Sequence, residues 1–414
     1  MPNATAYLLG DLYSASRASM RTIINALGQY EEIASNTLGL TFDQATLAPR
    51  GLVMEDLATN RVRNPRAEGA KVGLVGSGNP GAFPTFWSDT ATATNITRSI
   101  VGSGKSGGVD YVDIQIASTG AGAGNYNLVF DSSAQYPVAL GDSFACSAFL
   151  QLLSGALPVG GGPAVLRIAE YNAGGTFRRS TDLPVSPTAA PLHLQRYTIA
   201  GSVQASLTAF INPMLTITPG AGEVFSCVIR VGWPQLEGGL PSSPILPPVG
   251  SPGQATRFTD VVTLNLAKVG FANMAGSFVL TGTMESLPSG NASRGVLRFD
   301  DSTGDNLVSM NVNSSGRMSA RCIVAGVETI ATVGIIVPGV EFTVRFSWAA
   351  GVMRTSLNGA PTVETAVAGY PLGLNRGRIG TWSTSGANSL VGVIRRFDII
   401  PRLASAAELP TLAA

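Results

Sequence analysis

Apolar and polar residues alternate along most of this chain with the period of two that is typical of β-strands. In the first half, the alternation predicts the strands Thr97–Val101, Tyr111–Ile116, Tyr126–Phe130, Asp142–Leu153, Ala164–Tyr171, Gln195–Ile199, Ser206–Ile211 and Val224–Trp233. Glycine-rich and proline-rich turns separate these strands. Short strands at this spacing predict a two-sheet sandwich.

A second set of alternating segments occupies residues 258–403. In the segment FTVRFSW, the side chains of Phe342, Val344, Phe346 and Trp348 project to the same side of one strand. An unbroken apolar side of this kind predicts a buried inner face. The second half therefore predicts a second sandwich.

A segment rich in glycine and proline separates the two sandwich patterns. Gly238 and Gly239 are followed by four prolines between residues 241 and 248. These residues oppose both a continued strand and a helix. We expect the first folded unit to end here and a stiff linker to follow.

Residues 1–66 predict a small N-terminal unit of short strands and turns. The apolar residues of Ser16–Ile33 also have helical spacing, so a helix is the competing interpretation. Gly28 and the β-branched residues of Thr22–Ile24 favour a hairpin instead.

Composition supports an all-β protein without a nucleic-acid or membrane partner. The 414 residues include 49 Gly and 25 Pro, and only 13% are charged, as expected for short strands and tight turns. The formal net charge is +1, so no strong field would attract nucleic acid or an anionic membrane. We find neither a signal-peptide pattern nor an apolar run long enough to cross a membrane, and we expect synthesis in a cytoplasm.

The cysteines and the histidine do not form a metal-site or catalytic pattern. Cys146, Cys227 and Cys322 are far apart and odd in number, which argues against a disulfide framework and a zinc site. We expect buried thiols, although a bridge between Cys146 and Cys227 stays open. A lone histidine, His193, cannot provide paired zinc ligands.

The glycine-rich segment GSGKSGG, residues 102–108, invites two catalytic interpretations. It lacks the glycine spacing of a phosphate loop, and Ser106 lacks the strand-turn-helix context of a nucleophile elbow. We expect a loop between strands, no cofactor and no enzymatic activity. Paired carboxylates of a glycosidase cannot be located from sequence.

Two kinds of candidate ligand site remain. Asp300, Asp301 and Asp305 surround a glycine turn and could bind calcium, although such clusters often form plain turns. Sugar binding would use aromatic rings with polar groups beside them. The candidate sugar-binding residues are Trp87, Tyr111, Tyr126, Tyr136, Tyr171, Trp382, Arg378 and Asn388. Trp233 and Trp348 lie inside strand runs and are expected in the core.

Several motifs resemble the head-spike fibre proteins of tailed phages and gene transfer agents. The motifs are S-R-A-S, G-Q-Y and F-D-x-x-T-L-A-P-R-G-L near the N-terminus, N-P-R-A-E-G-A at residues 64–70, W-P-Q-L-E-G-G at residues 233–239 and R-R-F-D-I-I-P-R-L at residues 395–403. In such relatives a carbohydrate-binding-module-like sandwich with a galactose-binding-type jelly roll precedes a concanavalin-like, laminin-G-like sandwich.

The resemblance implies four regions. They are a particle-attachment segment at 1–66, a carbohydrate-binding-module-like sandwich at 67–240, a linker at 241–257 and a concanavalin-like sandwich at 258–414. The fold class expected is therefore all-β, with two tandem antiparallel sandwiches after a small N-terminal segment.

The resemblance also implies a structural protein of the virion surface, a head spike or a tail fibre, that binds host polysaccharide during adsorption. Residues 1–66 would contact other virion proteins. A homo-oligomer is expected, with a trimer favoured and a fivefold arrangement as the alternative, because weak sugar sites gain from multivalency. The alternatives are a tail-fibre polysaccharide depolymerase and a purely structural capsid decoration protein.

Overall fold

The structure is a computed structural model of the chain, and it describes residues 13–131, 136–266, 275–288, 292–382 and 388–412. The described residues are almost entirely β-strands, turns and loops, which confirms the predicted fold class. Within these ranges, short 3-10 turns occur at Leu192–Leu194 and Leu409–Thr411. No helix in these ranges is long and apolar enough to cross a membrane.

The strands are numbered here in chain order. The N-terminal strands are β1 (Tyr13–Ser16), β2 (Arg21–Ile24), β3 (Tyr30–Ile33), β4 (Leu40–Phe42) and β5 (Pro49–Met54). The middle strands are β6 (Ala58–Asn60), β7 (Gly73–Leu74), β8 (Ser88–Ala91), β9 (Ile96–Ser106), β10 (Val109–Thr119), β11 (Tyr126–Val129), β12 (Ser143–Gly155), β13 (Val165–Asn172), β14 (Phe177–Pro184), β15 (Arg196–Ser202), β16 (Thr208–Ile217), β17 (Val224–Gly238) and β18 (Ala255–Arg257). The C-terminal strands are β19 (Val261–Leu264), β20 (Ala275–Met284), β21 (Ser293–Asp300), β22 (Leu307–Asn313), β23 (Arg317–Val324), β24 (Val327–Ile335), β25 (Glu341–Ala349), β26 (Val352–Leu357), β27 (Val363–Ala366), β28 (Arg376–Ile379) and β29 (Gly392–Ile400).

These strands form two compact units, and one is inserted into the sequence of the other. The inserted sandwich comprises residues 58–257 together with 29–31. The host sandwich comprises the described residues up to Gly28, residues 32–57 and the described residues from Phe258 onward. In this division residues 58–66 belong to the inserted sandwich, whereas the described residues before them, apart from 29–31, belong to the host sandwich.

The inserted sandwich consists of two antiparallel sheets. One has the order β15-β12-β17-β10-β9-β7, and the other has the order β14-β13-β16-β11-β8. Alternate residues such as Ile114, Ile229, Leu166 and Leu215 are buried between them. Strands occupy the segments that the alternation predicted, whereas β14 escaped prediction because its sequence FRRSTDLP is mostly polar.

The proline-rich segment after residue 238 is part of this unit and not a separate linker. Strand β17 continues past Trp233, whose φ of 39° accompanies a shift in the pairing with β12. A bulge of this kind tolerates the following proline. Farther on, Ile245 is 4% exposed, and its backbone N–H donates to Gln235 Oε1 at 2.8 Å. Strand β18 pairs with β6, so the unit extends to Arg257.

The motif N-P-R-A-E-G-A forms a corner of the inserted sandwich. Asn64 Nδ2 donates to the carbonyl oxygens of Glu68 and Thr85 at 2.8 and 2.9 Å. The indole N–H of Trp87 donates to the carbonyl oxygen of Asn64 at 2.9 Å. These bonds satisfy buried backbone groups, so the motif stabilises the corner of the sandwich.

The host sandwich consists of two seven-stranded sheets. Their orders are β1-β19-β28-β21-β22-β23-β24 and β27-β26-β25-β20-β29-β5-β4. Phe342, Val344, Phe346 and Trp348 of β25 are at most 2% exposed, which confirms the predicted inner face. Trp233, in the other sandwich, is 1% exposed, which confirms its core position as well.

The N-terminal strands complete both sheets of the host sandwich. Tyr13 of β1 is opposite Leu264 of β19, and Met54 of β5 is opposite Gly392 of β29. At Gly51, φ is 118° and an added Cβ would lie 2.3 Å from the carbonyl oxygen of Ile394. Only glycine fits so close to β29, which explains the P-R-G-L motif.

A buried ionic cluster joins the N-terminal segment to the C-terminal part of the host sandwich. Asp260 accepts hydrogen bonds from Arg17 Nη1 at 2.9 Å, Arg21 Nη1 at 2.7 Å and the backbone N–H of Glu55 at 3.0 Å. Arg21 also pairs with Glu55 at 2.5 Å. These four side chains are almost completely buried, so their charges depend on one another. The N-terminal segment is therefore part of the sandwich core.

Candidate functional site

Residues considered for catalysis occupy structural positions. Residues 96–106 form strand β9, and Gly107 and Gly108, with φ values of 56° and 87°, form the hairpin turn to β10. The expected loop at residues 102–108 is thus mostly strand, and Ser106 is opposite Val109 in the ladder. His193 is half-buried, and burial lowers the pKa of its imidazole.

All three cysteines are free and buried, so the bridge between Cys146 and Cys227 is not formed. Burial raises the pKa of Cys227 and Cys322 to about 11 and also raises the pKa of Cys146. Thiols in such surroundings are unreactive. They contribute to packing, as the sequence predicted.

Three of the candidate aromatic residues lie in the core of the inserted sandwich. Trp87 is 6% exposed and its ring packs edge-on against Phe130, with centroids 5.3 Å apart. Tyr126 and Tyr136 are fully buried. Burial strongly raises the pKa of both phenols. The open ring face that a sugar would need is absent, and these rings have a packing role in this structure.

A cleft of about 290 Å³ in the inserted sandwich lies beside Tyr136. Its lining includes Arg61, Asp142 and Glu237. Glu237 is 3% exposed, and its carboxylate accepts hydrogen bonds from Gln235 Nε2 at 2.7 Å and from the backbone N–H of Ser242 at 2.9 Å. Burial raises the pKa of Glu237 despite these bonds. The carboxylate therefore holds the W-P-Q-L-E-G-G segment in place.

Tyr111 lies on the outer face of the six-stranded sheet beneath an arginine. The guanidinium of Arg230 is 3.5 Å from the centroid of the Tyr111 ring and donates to Asp113 at 2.7 and 2.9 Å. Gly104 of β9 gives the phenol room, because a Cβ there would lie 3.0 Å from the Tyr111 hydroxyl. One face of this ring is already covered by a protein cation.

Tyr171 belongs to an aromatic cluster, defined here as Tyr171, Phe177 and Phe210. Tyr171 of β13 is opposite Phe177 of β14 and Phe210 of β16 in the sheet register. The Tyr171 and Phe210 rings are stacked with centroids 5.9 Å apart, and Phe177 packs edge-on at 6.0 Å. Phe177 is 52% exposed, so the cluster presents a ring at the surface.

The aromatic cluster lies on the face of the five-stranded sheet that points away from the core. Leu166 and Ile168 of β13 are in the core, so Ala169 and Tyr171 point to the other side. Asn212 is on this outer side, opposite Ala169, and it is 8% exposed with no hydrogen-bond partner for Oδ1. The outer face therefore carries an exposed aromatic ring, which can contact the apolar face of a sugar, and a buried amide oxygen that has no partner.

In the host sandwich, Arg378 is part of an arginine cluster, defined here as Arg298, Arg376 and Arg378. All three contact the carboxylate of Asp300, which is fully buried. The shortest distances to the carboxylate are 2.5 Å from Arg298, 2.6 Å from Arg376 and 3.5 Å from Arg378. Asp300 therefore neutralises only part of the positive charge around it.

The surplus charge affects Arg378, which is 4% exposed. Burial lowers the pKa of its guanidinium, Arg376 and Arg298 lower it as well, and Asp300 opposes them. Arginines are rarely buried without full compensation.

Polar atoms without partners lie next to the arginine cluster. Ser309 of β22 is opposite Arg298 on one side and Arg321 on the other, and its hydroxyl has no hydrogen-bond partner. Asn311, two residues along the same strand, has an Oδ1 without a partner. Trp382 is partly exposed, with the Arg321 guanidinium 5.3 Å from its ring.

The remaining candidates of the host sandwich, Asn388, Asp301 and Asp305, lie in turns and loops between strands. Asn388 is exposed, and its carbonyl oxygen accepts the N–H of Gly295 at 2.7 Å. Asp301 accepts hydrogen bonds from Thr303 and Asn306 in a plain turn. Across the described ranges, no group of three His, Cys, Asp or Glu side chains is arranged to bind a metal ion. Since arginines hold Asp300, the calcium interpretation does not fit this turn.

The structure adds residues that sequence reasoning missed. Phe177 and Phe210 join Tyr171 only through the strand register, and Arg298 and Arg376 join Arg378 in the same way. The alternation along β13 and β21 indicated which side chains share a face, but not which neighbouring strand would lie beside them.

Comparison with known proteins gives partial likenesses of fold. No protein-family model matches this chain, and no curated protein matches it. The NanB sialidase of Streptococcus pneumoniae aligns with a TM-score of 0.31 and 15% identity over 36% of this chain, and the alignment spans 26% of that sialidase. The CBM40 of the Ruminococcus gnavus IT-sialidase, bound to α2,3-sialyllactose, aligns with a TM-score of 0.29 and 17% identity over 34% of this chain and 83% of the module. Tailspike protein 2 of the Escherichia coli O157:H7 bacteriophage CAB120 aligns with a TM-score of 0.28 and 13% identity over 36% of this chain and 22% of the tailspike. The chain is similar to parts of these proteins, at values too low to bear on its function.

Proposed function

We propose that this chain is a non-enzymatic glycan-binding protein of a virion surface, and that the aromatic cluster of the inserted sandwich contacts the glycan. The observation that carries the proposal is the half-exposed ring of Phe177 above the stacked rings of Tyr171 and Phe210. Exposed aromatic rings provide the apolar contact for sugar faces, and amide groups beside them provide direction.

The polar surroundings of the cluster support the same assignment. Asn212 has a vacant Oδ1, which would accept a hydrogen bond from a sugar hydroxyl. In the same sheet, Arg167 and Asp182 form a bidentate pair at 2.7 and 2.8 Å. Such a fixed pair offers donors and acceptors without needing to order a side chain on binding.

The virion part of the proposal depends on the resemblance of the sequence motifs to head-spike fibre proteins. In this proposal residues 1–66 contact other virion proteins, the chain forms a homo-oligomer with a trimer favoured, and the glycan belongs to the host cell. Several weak sites on one particle would raise the avidity well above that of a single site.

The test is binding of the purified protein to host capsule and lipopolysaccharide oligosaccharides on a glycan array, followed by calorimetry. Replacing Phe177 with alanine should weaken binding about tenfold, because a lost aromatic contact of about 1.4 kcal/mol corresponds to that factor. Val224→Ala is the matched control, since it shortens a side chain of the same unit that is 72% exposed.

Three results would contradict the proposal. Equal binding by the Phe177→Ala and Val224→Ala variants would mean that the aromatic cluster does not contact the glycan. Shortened polysaccharide chains after incubation would favour a depolymerase. No binding to any host glycan, together with fragile particles in the absence of the protein, would favour a decoration protein.

A further inference from the structure

We propose that the arginine cluster of the host sandwich binds the oxyanion of an acidic sugar, a carboxylate or a phosphate group carried by a saccharide. This site lies outside the inserted sandwich, and it extends the proposed glycan recognition to a second, charge-selective position. The cluster combines surplus positive charge, polar atoms without partners and an aromatic ring, all within the host sandwich.

The first step is the charge. Arg298, Arg376 and Arg378 converge on the single carboxylate of Asp300, which leaves about two positive charges. Arg321 is close by, but it pairs with Glu328 and adds no surplus. Asp301 is the nearest other carboxylate in sequence, and its oxygens are held by Thr303 and Asn306. An incoming anion would supply the missing counter-charge.

The second step is the supply of hydrogen-bond groups. The Arg298 side chain is 18% exposed, and its Nη1 and Nη2 already donate to the carbonyl oxygens of Trp382 and Thr303 at 3.2 and 3.3 Å. The Arg376 side chain is 26% exposed and is therefore the member of the cluster most open to a ligand. Guanidinium groups are suited to oxyanions because two parallel N–H donors match two oxygens. An oxyanion is therefore the ligand group that this cluster selects.

The third step is the pair of polar atoms without partners. Ser309 is 1% exposed, and a buried hydroxyl without a partner is costly unless a ligand completes it. Ser309 is flanked by Arg298 and Arg321 in the strand register, so its O–H is the donor closest in the sheet to an anion held by the arginines. Asn311 Oδ1 would accept from a sugar hydroxyl.

The fourth step identifies the ligand as a sugar rather than a free ion. Trp382 is partly exposed and lies beside Arg321, at the edge of the same group of polar atoms. An indole ring next to an anion site provides a contact for the apolar face of a pyranose ring, which inorganic phosphate cannot use. The predicted sugar-binding residues Arg378 and Trp382 thereby acquire distinct roles, one for the anion and one for the ring.

The experiment is calorimetric titration of the full chain with three probes at low salt. The probes are a galacturonate oligosaccharide, a sugar phosphate and a neutral galactose oligosaccharide, with inorganic phosphate as a fourth arm. We expect the carboxylate or the phosphate sugar to bind, with an affinity that falls as salt is added, and the neutral probe and inorganic phosphate to bind at least tenfold more weakly.

Two variants locate the site. Arg376→Gln removes one charge and should weaken binding about tenfold or more, because hydrogen bonds to charged groups are stronger than neutral ones. Ser309→Ala removes a hydroxyl that has no partner in the free protein, so it should keep the fold stable and still weaken binding several-fold. The charge-matched control is Arg395→Gln, which lies on β29 in an exposed pair with Glu341.

Several outcomes would overturn the inference. They are no binding of either acidic probe, equal weakening by Arg376→Gln and Arg395→Gln, or equal affinity for inorganic phosphate. Phe177→Ala should not change binding of the acidic probe to this site. The two variants separate this inference from the proposed function. Arg376→Gln should lose binding of the acidic probe and keep binding of the host glycan at the aromatic cluster. Phe177→Ala should lose binding of the host glycan and keep binding of the acidic probe.

Discussion

Replacing Asp260 with alanine tests whether the N-terminal segment is integral to the host sandwich. The carboxylate accepts three hydrogen bonds of 2.7 to 3.0 Å, from Arg17, Arg21 and the backbone of Glu55, and its side chain is 5% exposed. The substitution leaves two buried guanidinium groups with less compensation and one backbone N–H without its acceptor.

The expected loss is large. Removing one partner of a buried ion pair costs about 3–5 kcal/mol, mainly because the other charge stays buried. Domains are stable by about 5–15 kcal/mol in total, so the host sandwich should lose a substantial part of its free energy of unfolding. With a urea m-value of about 2 kcal/mol per M, the midpoint should fall by roughly 1.5–2.5 M.

The assay is urea unfolding combined with hydrogen exchange and mass spectrometry, which assigns each transition to one unit. Protection should fall in peptides of residues 13–57 and 258–412, while peptides of residues 58–257 should keep theirs. Glu341→Ala is the control, because it disrupts an exposed pair with Arg395 that contributes about 1 kcal/mol or less. If Asp260→Ala unfolds like this control, the segment is not anchored by the ionic cluster.

Three further predictions concern Gly51, the three cysteines and Glu237. Gly51→Ala should lower the melting temperature of the host sandwich, because φ is 118° and the new Cβ would lie 2.3 Å from the Ile394 carbonyl oxygen; an unchanged melting curve would contradict the close approach to β29. A thiol reagent at pH 8 should label no cysteine of the native protein and all three in urea, because the thiols are buried and their pKa values are raised; rapid native labelling would contradict this burial. Burial raises the pKa of Glu237 in the folded state, so folding favours the protonated carboxyl. The resulting contribution to the free energy of unfolding is complete below the ordinary glutamate pKa and is lost as pH rises through the raised pKa. Glu237→Gln should flatten that pH dependence of unfolding of the inserted sandwich, and an unchanged pH profile would contradict the assignment.

The alternation of apolar and polar residues was sufficient to predict a strand where that strand buries one complete face. β25 was predicted because Phe342, Val344, Phe346 and Trp348 follow a strict period of two and all lie in the core. β9 was not predicted to its full length, because Gly102 and Gly104 carry no side chain from which a period could be read. Their place in the sheet depends on backbone pairing with β10.

Pairing over long distances in sequence could not be predicted. Nothing in the local sequence of β1 indicates that its partner is β19, so residues 1–66 were interpreted as a separate unit. The same limit applies to the sites. Asp300 looked like a calcium ligand until Arg376 and Arg378, which follow it by 76 and 78 residues, were placed on the adjacent strand.

The insertion of one sandwich within the other sets an order for folding during synthesis. The first strands of the host sandwich leave the ribosome about 250 residues before β19, so β1 stays unpaired until β19 has been synthesised. The inserted sandwich is nearly contiguous in sequence and can fold in that interval, and the pairing of β6 with β18 then holds its two ends together. Closing a flexible loop of about 200 residues costs ~3 kcal/mol more than closing a loop of about 10 residues, because the cost grows with the logarithm of the loop length. A slow or damaged inserted sandwich would therefore delay the host sandwich, and newly made chains would expose unpaired strand edges that favour aggregation.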